Sequence, residues 1–236
     1  MAFNCKPPPG NVRRAGSTGE NIYGVIINKA GRMVQFESWA ERALLLRLDR
    51  DQTVKDYGSQ PETFEYVDGQ GKTRHYTPDF IVWRSGQVEI HEVTCSERRT
   101  AEPRLPQREV AGAEICAGRG WRYLVHTEQN LPQASELANL LALLHYRPLA
   151  YAQAQVTEAV RARLSAGRSV ALAVLIRQVV QQLVWPEPRV LAAVGHLLWH
   201  GDLKTDLNQL IFGPSLTGIM PGVVVWQEGH NDPANI

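Results

Sequence analysis

The chain has 236 residues, 44% of them hydrophobic, which suffices for one large domain or two small ones with packed cores and excludes a disordered composition. Its formal net charge of +1 provides no global attraction to nucleic acid, so DNA contact requires a local patch or a partner. Cys5, Cys95 and Cys116 match no disulfide framework or metal spacing and predict a reducing compartment; with no bilayer-length apolar run and no signal-peptide core, the expectation is a soluble, cytoplasmic protein with no membrane partner.

Residues 1–24 read as a flexible arm. The stretch PPPGNVRRAGSTGEN (7–21) mixes Pro, Gly and Arg without periodicity, and Arg13 and Arg14 suit DNA phosphates as well as an ordinary tail. After a short extended piece at Val25, ESWAERALLLRLD (37–49) predicts the first helix from its strong helix formers. Glu37 and Glu41, four apart, share a face with Leu45 and Leu48, which turns that face toward the domain body. Glu37 reads as an acid that suits the helix dipole; Glu41 reads as a site residue.

Residues 54–94 hold three or four β-type runs separated by DGQG and RSGQ, the pattern of an antiparallel meander. Strand alternation sets Asp79 beside Ile81 and Trp83, and Glu92 beside Thr94. His91 and Val93 fall on the other face, so His91 is predicted to be structural or solvent-facing. A helix within 106–119, ended by Gly120, and a strand over 121–128 complete an α/β/α sandwich. From Leu131 onward the pattern turns helical: through Leu144, then about 150–165, 169–183 and 186–201, the last with prolines at its start and glycine at its end. The β-type runs LNQLIF and SLTGIM follow, giving the outline of a winged-helix module. The predicted organisation is thus an arm (1–24), an α/β/α domain (25–147), a helical, winged-helix-like domain (148–225) and a tail (226–236).

The segment YTPDF (76–80), eleven residues and then EVT (92–94) resembles the frame of PD-(D/E)xK nucleases. In those enzymes a lysine two residues after the second acid shares its strand face and reaches the attacked phosphate; here that position is Thr94. Phosphodiester hydrolysis needs an activated water and stabilisation of charge growing on phosphorus, both of which carboxylate-bound divalent ions supply. Glu41, Asp79 and Glu92 are the candidate ligands, the Val93 carbonyl completes the set, and hard oxygen donors in this number suit Mg²⁺ or Mn²⁺. Threonine provides no positive charge, so a second metal or a displaced cation is needed, with Lys72, Arg74, Arg98 and Arg99 nearby in sequence; Arg98 and Arg99 equally suit a DNA-backbone contact. His196 and His200 have helical metal-pair spacing without the glutamate of HExxH and read as structural, and no phosphate-binding glycine fingerprint is present.

Residues 36–130, through FESWAER, DYGSQP, YTPDF, HEVT and GWRYLVHTE, resemble the N-terminal nuclease domain of TnsA, the endonuclease subunit of heteromeric transposases. VLAAVGHLLWHGDLKTDLNQLI (190–211) is similar, less distinctively, to that family's winged-helix domain. The resemblance implies a bacterial, nucleoid-associated enzyme with a restriction-endonuclease-like fold that nicks transposon 5′ ends. It also implies a DDE transposase partner and an AAA+ ATPase regulator like TnsC. Carried onto this chain, the metal-binding acids are Glu41, Asp79 and Glu92, and the catalytic lysine falls on Thr94. Two rival expectations remain: a degenerate nuclease fold that binds DNA and partners without cutting, and a stand-alone restriction or repair nuclease.

Overall fold

The computed structural model describes residues 22–164, 169–213 and 218–227. Arg13, Arg14, Cys5 and most of the expected arm and tail lie outside the described residues, as does part of SLTGIM. The chain divides into two compact units, Met1–Leu131 and Pro132–Ile236.

In the first unit, β1 (Gly24–Ile27) and β2 (Met33–Phe36) form an antiparallel pair that leads into helix α1 (Trp39–Arg50). The helix starts two residues later than the composition suggests because Ser38 caps it, its hydroxyl accepting the Glu41 N–H at 3.1 Å. Glu37 therefore precedes the helix. Leu44, Leu45, Leu46 and Leu48 are buried, so α1 is fastened by apolar packing on more than one side.

The main sheet has the order β3-β6-β7-β8, from β3 (Val54–Ser59), β6 (Phe80–Arg84), β7 (Gln87–Val93) and β8 (Arg122–His126). Strand β6 runs antiparallel to both neighbours, whereas β8 is parallel to β7 and is reached through helices α2 (Ser96–Ala101) and α3 (Arg104–Gly118). The expected meander is in fact two sheets, since β4 (Phe64–Val67) and β5 (Thr73–Tyr76) form a separate hairpin. The break follows Ser59: Gln60 adopts a φ of 47° and Pro61 has no N–H to continue a ladder.

The two faces of the sheet are distinct. Ile81, Val88 and Ile90 pack with Phe64, Tyr76 and Cys116 on the α3 side. On the other side the Tyr57 hydroxyl donates to Asp49 of α1 at 2.9 Å. The first unit is thus a mixed α/β arrangement with helices on both faces of a sheet. His91 lies on the α1 face and is buried, not solvent-facing; its Nε2 is 3.1 Å from Glu89 and its Nδ1 3.0 Å from His126 Nε2. Arg84 and Arg122 complete this layer by donating to Glu89 at 2.8 and 3.0 Å.

The second unit contains α4 (Ala134–Leu144), α5 (Ala154–Leu164), β9 (Val170–Ala171), α6 (Leu172–Leu183), α7 (Glu187–His200), β10 (Lys204–Thr205) and β11 (Val224–Trp226). The short strands form an antiparallel sheet in the order β10-β11-β9, and Phe212 bridges to Ile219 between β10 and β11. Helix α4 belongs to this unit, so the boundary falls at Leu131, earlier than the expected 147. The reason is Asn139, whose buried side chain donates to the carbonyls of Leu207 and Gln209 and accepts from the Ile211 N–H. His196 and His200 each bond a carbonyl, of Tyr146 and Arg147, in keeping with a structural role. Among the described residues no helix is long and apolar enough to cross a membrane.

Candidate active site

A cleft of about 630 Å³ in the first unit is lined by Glu41, Asp79, Glu92, Val93 and Thr94 together. Residues from α1, the turn before β6, and β7 with its C-terminal exit are thereby brought to one place.

Each acid is held by a different local device. Glu41 closes a variant of the capping box: Ser38 Oγ donates to one carboxylate oxygen at 3.1 Å, and the N–H of Glu37, one residue before the cap, donates to the other at 2.8 Å. The acid expected to serve chemistry alone also ties down its own helix start. Glu37 accepts from Gln60 Nε2 at 2.9 Å. Asp79 is fixed twice, its carbonyl accepting the Gln60 N–H at 2.7 Å and its carboxylate the Val93 N–H at 2.7 Å. The left-handed backbone of Gln60 thus orients the turn that presents Asp79. Glu92, 3% exposed, is ion-paired through Oε1 with Arg108 of α3, while its Oε2 is buried without a hydrogen-bond partner. Thr94 Oγ1 is likewise buried and unpartnered.

The electrostatics follow from this crowding of acids. Burial, with the charge of Asp79 adding to it, pushes the Glu41 carboxyl up to about 7. Burial also raises Glu92, and Arg108 only partly opposes it. Buried acids that resist ionisation are what a cleft awaiting a cation would show. The donor chemistry fits a hard divalent ion, and the orphaned Glu92 Oε2 is a vacant oxygen donor. Yet among the described residues no three His, Cys, Asp or Glu side chains are grouped so as to hold a metal. Glu92 is instead engaged by Arg108, and Glu41 by the start of α1.

Three of the four cations expected near Thr94 have other partners. Arg74 pairs with Asp68 in the β4–β5 turn, and Arg99 grips both oxygens of Glu109. Arg98 lines the cleft but pairs with Glu102 and is exposed. The cation that enters is Arg108, a residue the motif reading passes over because it sits on a helix beyond the EVT segment. A usable signal was present: Arg108 and Gly112 are four apart and so share one face of α3. A Cβ at Gly112 would lie 2.0 Å from Tyr76 Oη and 2.7 Å from Tyr123 Cε2, so glycine permits the close helix approach. Arg108 lies over the Tyr76 ring, 5.1 Å from its centroid.

Residues 51–128 match the family model described as TnsA-like endonuclease N terminal. The matched span contains Asp79, Glu92, Thr94 and Arg108 and begins after Glu41. Comparison with curated proteins gives no match.

Proposed function

With a first unit that carries a TnsA-like endonuclease N-terminal domain, we propose that the chain is a metal-dependent DNA endonuclease subunit that nicks transposon 5′ ends within a transposition complex. The observation that supports this best is the convergence of Glu41, Asp79 and Glu92, from separate elements, upon one cleft inside a nuclease-like α/β unit. Those three carboxylates and the Val93 carbonyl would hold Mg²⁺ or Mn²⁺. The bound ion would supply an activated water and offset charge on the phosphate.

The chain's own groups do the remaining work. The Val93 N–H orients the Asp79 carboxylate toward the cleft, and the Ser38 hydroxyl fixes that of Glu41. Burial of Glu92 keeps water from competing for its free oxygen. In the second unit, β9 lies between α5 and α6, and β11 is the central strand after α7. That order supports a winged-helix-like module, for which the proposed role is engagement of an AAA+ regulator, with a DDE transposase as the second partner.

The test is nicking of a plasmid that carries the transposon ends, by the full chain assembled with its transposase. Mg²⁺-dependent nicking that disappears in Asp79→Ala is expected; equal nicking by both proteins, or nicking that persists in chelator, refutes the proposal. The pairing of Glu92 with Arg108, together with Thr94 at the lysine position, favours a second reading in which the subunit binds DNA and partners without cutting. That reading requires intact complexes that never nick.

A further inference from the structure

A cleft lined by five acids, Glu37, Glu41, Asp79, Glu92 and Glu128, repels a DNA phosphate unless something inside it donates positive charge. Thr94 cannot do so, and its hydroxyl is buried without a partner. Arg98, at the same cleft, is exposed and held by Glu102. Arg108, although it too is ion-paired, differs in burial and in keeping one donor unused. Its side chain is 23% exposed, its guanidinium contacts the buried carboxylate of Glu92, its Nε is buried with no hydrogen-bond partner, and the Tyr76 ring backs it. A planar fork with an unused donor, on a side chain that lines the cleft, suits bidentate phosphate contact once the guanidinium turns toward the ligand.

We infer that Arg108 is the phosphate-contacting cation of this cleft, delivered from α3 and replacing the charge that β7 does not carry at Thr94. In the unliganded chain its charge rests on Glu92. When DNA enters, the free Nε and an adjacent N–H face the phosphate, and Glu92 is released toward the cleft. Gly112 is the positioning residue, because a side chain there would meet Tyr76 and Tyr123 and push α3 off the sheet. The inference rests on the proposed DNA-acting role of the cleft but does not require that the phosphodiester be cut.

The experiment compares the full chain with Arg108→Gln, each assembled with the transposase, on a transposon-end duplex with Ca²⁺ in place of Mg²⁺. The duplex carries either a normal phosphate or a neutral methylphosphonate at the 5′ junction. Removing one charge-assisted contact should weaken binding about tenfold and lower the salt slope by about one. The methylphosphonate should weaken the parent by a similar factor and leave Arg108→Gln unchanged, a coupling that a merely structural role would not produce. Arg108→Gln/Thr94→Lys should recover most of the loss. Independent, additive penalties overturn the inference. If the glutamine variant does not fold, Arg108→Lys serves: a penalty from the methylphosphonate as large as, or somewhat smaller than, the parent's sustains the inference, and none at all defeats it. Coupling without any nicking in Mg²⁺ would sink the nuclease proposal and spare this one; Asp79-dependent nicking without coupling does the reverse.

Discussion

Replacing Glu41 with Gln should make the protein more stable at neutral pH, by an amount that depends on pH in a defined way. The folded chain holds the Glu41 proton to about 7, against 4.5 for a free glutamate, because the group is buried beside Asp79. Between those values the native state binds more protons than the unfolded one, so stability falls as pH rises and levels off above about 7. At about 1.4 kcal/mol per tenfold change in proton affinity, the loss approaches about 3 kcal/mol. The total profile will not show this cleanly. Burial lowers His91, and it lowers His126 to about 4, which removes stability as pH falls through the same window. The difference between parent and Glu41→Gln isolates the group, since the glutamine oxygen can accept the Glu37 N–H and its NH₂ can donate to the Ser38 hydroxyl, which then reverses its role. Urea unfolding of both proteins from pH 4 to 8 provides the difference curve, which should rise in favour of the variant and flatten above about 7. Excess Mg²⁺ should shrink it by stabilising the parent's carboxylate. A difference independent of pH refutes the account of Glu41 as a buried acid beside Asp79.

Other substitutions probe the supports of the cleft and of the second unit. Gly112→Ala gains about 1 kcal/mol of helix propensity but must relieve contacts of 2.0 and 2.7 Å, at a typical overpacking cost of about 1–3 kcal/mol. A lower urea midpoint is expected, with DNA binding weakened no more than in Arg108→Gln; an unchanged midpoint would mean that α3 stands farther from Tyr76. Asn139→Ala strands the Leu207 and Gln209 carbonyls and the Ile211 N–H and should cost about 3 kcal/mol in unfolding experiments. A loss below about 0.5 kcal/mol would show that water replaces the side chain.

Much of this arrangement was legible in the residues. Period-two alternation separated Glu92 from His91, and helix formers marked α1 and the four longer helices of the second unit. Local pattern failed where long-range partners decide. Nothing in the lettering of His91 announces its burial, which depends on Glu89, His126 and two arginines arriving from other strands. The place of α4 in the second unit hangs on Asn139 meeting a turn some seventy residues later. Arg108 is not legible in the motif because its place comes from α3 packing on β8 and β4, whereas motif spacing describes only positions along one strand. Glu41 was singled out for its chemistry, but Ser38 three residues earlier already announced a cap.

Strand β7 carries ionisable groups on both of its surfaces, Glu89 and His91 toward α1 and Glu92 toward α3. Sliding it one residue against β6 would exchange those surfaces. Glu89 would enter the layer of Phe64 and Tyr76, while Arg84 and Arg122 would lose their shared acid. Stranding a buried carboxylate costs several kcal/mol, enough to discard the slipped pairing during folding. The buried ionic layer on the far side therefore works as an alignment key: it has no opening onto the cleft, yet it decides which acid arrives there.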